Sequence, residues 1–351
     1  MDFGEYLTNQ LIKHPSMQPQ DIVKLCYQAA FGAEHLLTDA DAAQKYFDNE
    51  YDSVSESDGE LYEQISQDVC RINLPVWKEQ CMPREWLFRM FMMSSSTVKS
   101  TETSFIRSLD TVQELVTRGV IPISPEKWLT FRKRYEENGI CAIHHSDIYR
   151  QKEHPAYRIV SGYFMRIIPL LVKLAALPEK AGANVIVIDG RAAAGKTTIA
   201  EQLRNILGAG VVHMDDFFLP PELRTEERFL QPGGNVHYER FASEVLPKLS
   251  CEEAFSYRSF DCGRMTPGEL RNVSASKWRI VEGSYSFHPS FSDYADLSAF
   301  CDVDKDEQLE RIRIRSKNSD ELFEMFKSRW IPLEEEYFKQ CSVKERADIV
   351  I

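Results

Sequence analysis

The sequence predicts an α/β protein in two parts: a parallel sheet flanked by helices over residues 184–351, preceded by a mostly α-helical domain over residues 1–178. Three observations carry this expectation. "NVIVIDG" (184–190) is a short β-branched apolar run, as a strand buried on both faces requires. Behind it, similar runs alternate with helical spacings to the end of the chain. Ahead of it apolar residues recur at helical spacing, and "ALPEKAGAN" (176–184) divides the two patterns with Pro, Gly and Ala.

In the first part, "QPQDIVKLCYQAAFGAEHLL" sets Ile22, Leu25, Ala29, Ala33 and Leu36 at roughly helical spacing after Pro19. "EWLFRMFMM" and "AYRIVSGYFMRIIPLLVKLAAL" repeat the theme. "YDSVSESDGE" (51–60) and "SSSTVKSTETS" (94–104) read as Ser-rich loops. The Trp, Phe and Met residues of "NLPVWKEQCMPREWLFRMFMM" read as core, or as a contact with the second part, rather than as a cofactor site. "AIHHSDIYRQKEHPAYR" crowds His144, His145, Asp147 and His154. Adjacent histidines suit a single metal ion poorly, and a helix-capping turn fits the Asp and Pro content better.

In the second part, the helix "TTIAEQLRNIL" follows the first strand, and "AGVVHMDDFF" is a strand ending in acids. "KWRIVEGSY" and "DLSAFCDVD" are two further strands, "DEQLERIRIRS" and "DELFEMFKSRW" are helices, and "ADIVI" is a closing strand. Ligands of such sheets gather at the carboxyl ends of the strands. That singles out Gly190, Asp215 and Glu282. "RWIPLEEEYF" reads as a packing helix around Trp330 and Pro332, with Arg329 able to reach a phosphate or to pair with Glu334 or Glu335.

Charge and composition narrow the function. The 351 residues carry a net charge of −12 with a pI near 5.3, and neither half has the basic excess of a phosphate-backbone binder, so nucleic acid is not an expected partner. No apolar run has the length of a membrane span, and the first residues lack a secretory pattern, so a cytoplasmic protein with no membrane partner is expected. The eight cysteines are scattered without a CxxC pair and read as reduced thiols. A homo-oligomer is left open.

"GRAAAGKT" (Gly190, Arg191, Ala192, Ala193, Ala194, Gly195, Lys196, Thr197) fits G-x-x-x-x-G-K-[ST], the phosphate loop of nucleotide-binding proteins. Its glycines let consecutive N–H groups face phosphate oxygens, Lys196 meets the β and γ phosphates, and Thr197 offers a hydroxyl to Mg²⁺. Thr198 continues the N-terminal turn of the next helix, whose positive end adds to the cradle. Three features lean toward transfer to a small acceptor. Asp215 or Asp216 can take a proton from a hydroxyl, although Asp216 equally suits a turn cap; Asp215 is also a Mg²⁺ candidate. Glu282 can hold Mg²⁺ directly or through water. Arg311 and Arg315, four apart on one helical face, can close over the transferring group, or can lie on a solvated face paired with Asp306, Glu307 and Glu310. The N-K-x-D signature of guanine readers is absent.

Over residues 184–351 these motifs, with "PGGNVHYERF" and "CDVDKDEQLERIRIR", resemble the uridine kinase and phosphoribulokinase group of phosphate-loop kinases. The resemblance implies ATP-dependent, Mg²⁺-assisted phosphorylation of a hydroxyl on a nucleoside or similar polyol. It implies that Asp215 is the catalytic aspartate, that Glu282 is the magnesium-associated glutamate, and that Arg311 and Arg315 fall in the lid. The chain departs from that pattern at several positions, the first of them in the phosphate loop, where backbone N–H groups still do the work. Ala193 and Ala194 replace the usual Ser and Gly; Ile312 stands where an arginine touches the ribose; His237 lies where an acid often reads sugar hydroxyls; the lid "RSKNSDELF" is short. "SYRSFDCGRMTPGE" replaces the base-reading loop, making Arg258, Asp261 and Arg264, with Tyr285, candidates for an unknown acceptor. Alternatives are a pantothenate, sugar or polyol kinase, or an ATP-binding sensor coupled to the helical half.

Overall fold

The computed structural model describes residues 3–32, 40–54, 59–95, 102–317 and 319–351. Ala33, Leu36 and parts of both Ser-rich loops lie outside them. The chain divides into two compact units at Ile168/Pro169, one helix ahead of the expected break at 176–184.

The first unit contains α1 (Phe3–Lys13), α2 (Pro19–Phe31), α3 (Ala40–Ser53), β1 (Tyr62–Ser66), β2 (Val69–Asn73), α4 (Leu74–Glu79), α5 (Arg84–Ser94), α6 (Glu102–Thr117), α7 (Pro125–Glu137), α8 (Asp147–Glu153) and β3 (Tyr157–Ser161). α2 packs on α6 and α7 around Ile22, Cys26, Phe105, Leu109 and Trp128. The unit also holds an antiparallel sheet in the order β1-β2-β3, so "AYRIVS" is a strand rather than the start of a helix. Its residues Arg158–Ser161 are all buried, which removes the alternation that marks a half-buried strand. The histidine-rich segment forms a cap: the Ser146 hydroxyl accepts the Tyr149 N–H at 3.2 Å and starts α8, and His154 ends it with a left-handed φ of 43°.

The second unit opens with α9 (Ile168–Ala175) and continues through β4 (Asn184–Gly190), α10 (Lys196–Leu207), β5 (Gly210–His213), α11 (Glu226–Phe229), α12 (Tyr238–Glu244), β6 (Phe255–Asp261), β7 (Thr266–Val273), β8 (Trp278–Glu282), β9 (Leu297–Cys301), α13 (Lys305–Arg315), α14 (Asp320–Met325), α15 (Ile331–Gln340), α16 (Val343–Arg346) and β10 (Ile349–Val350). A five-stranded sheet runs β10-β9-β4-β8-β5, every pairing parallel. Val185, Val187, Val212, Val281 and Phe300 of this sheet join one core with Phe217, Phe241, Phe291, Tyr337 and Phe338. Because "VIVI" is covered on both faces, all four of its residues are buried. The segment "SYRSFDCGRMTPGE", expected as a loop in place of the base-reading one, lies in a β-hairpin, β6–β7, turning at Asp261–Thr266. Five described residues, Phe326–Trp330, form a widened π turn between α14 and α15.

Candidate active site

The phosphate loop links the end of β4 to α10, as its motif requires. Gly190 sits at φ 138°, and a side chain there would overlap the Cys301 backbone, so β9 packs against the loop only because residue 190 is glycine. Ala193 and Gly195 adopt left-handed angles of 59° and 95°, which turn the peptide groups ahead of α10. The loop is braced from outside. The Gln308 amide donates to the Ala192 carbonyl at 3.1 Å, Arg311 donates to the Ala193 carbonyl at 3.2 Å, and Arg191 pairs with Asp302 and, at 2.6 Å, with Glu335. Those carboxylates, Glu335 most strongly, raise the Arg191 pKa further above its ordinary value.

Two buried carboxylates beneath the loop were not legible in the sequence. Asp189, 1% exposed, accepts the N–H groups of Gly190 at 2.7 Å, Tyr285 at 3.2 Å and Phe287 at 2.9 Å, and the Tyr337 hydroxyl at 2.8 Å. Glu334 accepts the Ala192 N–H at 2.9 Å and the Ser284 hydroxyl at 2.7 Å. Burial pushes both carboxyls above their usual range. Glu334 and Glu335 are thus engaged by the loop, and Arg329 lies instead over the Phe229 and Trp330 rings. Nothing in the spacing of "RWIPLEEEYF" separates a glutamate that will be buried from its neighbours.

The reactive side chains stand at the carboxyl ends of neighbouring strands. Parallel register sets Glu282 of β8 between Ile188 of β4 and His213 of β5. Thr197 Oγ1 lies 3.2 Å from Glu282 Oε2, and His213 Nδ1 lies 2.6 Å from Glu282 Oε1. The hydrogen bond to Glu282 holds the His213 pKa above its ordinary value. Lys196 Nζ folds back onto the carbonyls of Gly190 and Arg191, at 2.7 and 2.9 Å.

Asp215 follows β5 on a short 3₁₀ turn, Met214–Phe217. It retains solvent access, yet surrounding protein crowds its carboxyl and pushes the pKa up; Lys196 and Arg315 oppose that rise, and Glu282 adds to it. Asp216 is buried, accepts the Tyr257 hydroxyl at 2.7 Å and faces Arg271 at 3.5 Å. Of the two acids, Asp215 faces the loop lysine, and Asp216 anchors the hairpin.

The remaining candidates separate. Arg311 pairs with Glu307 at 2.6 Å, as the solvated-face reading expects, and also donates to the loop carbonyl, while the Arg315 side chain is exposed and makes no hydrogen bond among the described residues. Ile312 is 1% exposed and packs with Ala192 and Phe323, so this position is core. Tyr285, at φ 74°, is 3% exposed, with its ring 4.9 Å from that of Tyr337. The structure therefore sets it within the core rather than open to an acceptor. The Nδ1 atom of His237 caps α12, accepting the Arg240 N–H at 3.3 Å. On the hairpin, Arg258 donates to the Gly268 carbonyl at 3.0 Å, and Asp261 accepts the Gly263 and Arg264 N–H groups as an Asx turn. Beside this turn, burial pushes the Cys262 thiol pKa up, a rise that the Arg224 charge opposes and the Asp215 charge reinforces. A cavity of about 340 Å³ flanks the site at β5, lined by Thr197, Arg204, His213, Tyr257 and Arg271.

No family model matches the chain. It is 26% identical over 185 residues to a uridine kinase from Chlamydia pneumoniae, a match spanning 48% of this chain and 80% of that protein. Among solved structures it is similar to a candidate uridine kinase from Bacillus stearothermophilus (23% identity, 54% of this chain and 98% of that one, TM-score 0.41). It is also similar to a candidate fructose transport system kinase from Silicibacter sp. TM1040 (22% identity, 50% and 92%, TM-score 0.41) and to D-glycerate 3-kinase from Cryptococcus neoformans (14% identity, 50% and 86%, TM-score 0.35). The strand, loop and helix geometry, taken with the curated relative, gives part of this chain an α/β phosphate-loop fold of the uridine kinase-like type.

Proposed function

We propose that the second unit is an ATP- and Mg²⁺-dependent kinase that phosphorylates a hydroxyl of a small molecule, a uridine-like nucleoside being the first acceptor to try. The observation that carries this reading is the convergence of Lys196, Thr197, Glu282 and Asp215 at one edge of the sheet, with Thr197 and Glu282 oxygens 3.2 Å apart. The residues suit the groups they would hold. The loop turns its peptides ahead of a helix N-terminus, and a hydroxyl beside a carboxylate offers the hard oxygens Mg²⁺ takes. When bound, Mg²⁺ neutralises charge on the β and γ phosphate oxygens.

In this reading Lys196 exchanges its loop carbonyls for phosphate oxygens, and Thr197 and Glu282 hold the metal. Asp215 orients the acceptor hydroxyl and receives its proton on a carboxylate oxygen. Crowding makes that carboxylate more basic, while Lys196 and Arg315 favour its charged form. Arg311, fixed by Glu307 and the loop, supports the mobile charge of Arg315 over the transferring group. His237, Arg258, Asp261 and Arg264 stay as acceptor-side candidates, joined by Arg224 and Cys262. The buried Ile312 favours widening the search to pantothenate, sugars and polyols, because no cation reaches a ribose from that position.

The test is ADP release from Mg·ATP by the purified chain across nucleosides, vitamins, sugars and polyols. Acceptor-dependent release abolished by Lys196→Ala supports the reading and identifies the acceptor class. A flat panel with ATP binding retained would replace it with a nucleotide sensor.

A further inference from the structure

The first unit contains a buried polar chain that no packing requirement explains. Asp21, Lys24 and Gln28 recur at helical spacing along one face of α2. Each reaches a different element. The Asp21 carboxylate meets His145 Nδ1 at 3.0 Å and accepts the Ser146 N–H and hydroxyl at 2.9 and 2.7 Å. Lys24 Nζ donates to the Ile143 carbonyl at 3.1 Å. Gln28 holds the Tyr157 hydroxyl at 3.1 Å and takes a hydrogen bond from Arg71 at 2.7 Å. Tyr157 in turn lies 2.7 Å from His145 Nε2.

One proton arrangement satisfies the whole series. Arg71 donates to the Gln28 oxygen, the Gln28 amide donates to Tyr157, the Tyr157 hydroxyl donates to His145 Nε2, and His145 Nδ1–H donates to Asp21. Burial lowers the His145 pKa, which agrees with the neutral imidazole this arrangement needs. The Asp21 carboxylate is saturated by these donors and by the Gln18 N–H at 2.9 Å. It has little capacity left for the cations nearby.

Those cations are under-compensated. Arg71 is 7% exposed, its contact with Glu63 is a long 3.4 Å, and its Nε finds no partner among the described residues. Glu63 meanwhile accepts the Tyr6 hydroxyl and the Gln10 amide, at 3.0 and 2.9 Å. The ammonium of Lys24 has one carbonyl and no carboxylate within hydrogen-bond distance among the described residues. Burial and the Arg71 charge push its pKa down to about 8. Between them these two buried or half-buried cations have one long contact to a carboxylate, Arg71 with Glu63, and the Tyr157 ring 4.5 Å from the Arg71 guanidinium, which is costly in a chain of net charge −12. Lys24 and Tyr157 keep partial solvent access at the edge of the cluster, with the Arg71 Nε buried behind them.

We propose that Lys24, Arg71 and Tyr157 line a second ligand site, confined to the first unit, that takes the oxyanion of a small organic molecule. The Arg71 Nε–H and the remaining Lys24 protons are the donors, and the Asp21–His145 pair fixes the Tyr157 hydroxyl beside them. The full chain is titrated by calorimetry with inorganic phosphate, glycerol 3-phosphate and malate, which separates free phosphate, phosphate ester and carboxylate. The expected result is binding of at least one probe that survives Lys196→Ala, so it does not come from the phosphate loop. That binding weakens about tenfold in Lys24→Gln and about threefold in Tyr157→Phe, while Lys24→Arg retains it. Circular dichroism verifies the fold of each variant, and if Lys24→Gln does not fold, Tyr157→Phe decides. Absence of binding by all three probes, or binding insensitive to the folded variants, overturns the proposal.

Discussion

The two units each bury a carboxylate among neutral donors, but they assemble it differently. Beneath the phosphate loop, Asp189 adjoins the motif in sequence, and three of its four donors are backbone or tyrosine groups from the turn after β8 and from α15. In the first unit, Asp21 is completed by residues 124 and 125 positions away, and the chain of contacts continues through Tyr157 of β3 and back to Gln28 of α2, ending at Arg71 of β2. The first cluster serves a contiguous loop whose backbone does the work. The second exists only after four segments have come together, α2, the turn at His145, β2 and β3, and most of its contacts are made by side chains.

That contrast explains what could be read in advance. The parallel sheet, the phosphate loop and the strand-end placement of Asp215 and Glu282 were legible, because each follows from a contiguous run and the rule that ligands gather at strand ends. The hairpin β6–β7 was not, since a Gly and Pro-rich stretch between aromatic residues reads equally as loop. β1, β2 and β3 are five-residue strands of mixed polarity and were absorbed into the helical reading. His145 was noticed for its neighbours in sequence, yet its partners, Asp21 and Tyr157, come from α2 and β3. Tyr285 shows the same limit from the other side: it is a candidate acceptor contact by sequence, and packing makes it core.

The contrast can be broken by substitution. Lys196→Ala has the largest expected effect, a loss of acceptor-dependent turnover by about 10² to 10⁴-fold with the first unit unchanged, measured by coupled ADP release and circular dichroism. Turnover near wild type would detach the loop from catalysis. Next comes Asp189→Ala, which removes the acceptor of three backbone N–H groups and of the Tyr337 hydroxyl in the core. A loss of about 3 kcal/mol or more is expected in urea unfolding, and a loss below about 1 kcal/mol would show that the turn after β8 stands without it.

Ser146→Ala probes the first unit in the same way. It removes both the α8 cap and a hydrogen bond to Asp21, for an expected loss of about 1 to 2 kcal/mol in urea unfolding. An unchanged midpoint would mean that the relay around Asp21 closes equally well without its hydroxyl donor.

The smallest effect is a pH dependence. Burial raises the Glu334 pKa above 4.5, so the folded state binds this proton more tightly than the unfolded state. The stability it confers is complete below the unfolded value and is lost as pH rises through the folded one. Glu334→Gln, always neutral, should therefore gain in melting temperature relative to wild type as pH rises from 4.5. A difference that stays constant with pH would place the unfavourable charge elsewhere.

The central claim is that Asp215 acts on the acceptor while the loop holds the nucleotide. Phosphoryl transfer to the best acceptor by Asp215→Asn, measured alongside ATP affinity, tests it most directly. The expected result is a fall in transfer of about 10² to 10⁴-fold with ATP affinity within about threefold of wild type. Transfer near the wild-type rate, or ATP affinity lost in parallel with transfer, would contradict it.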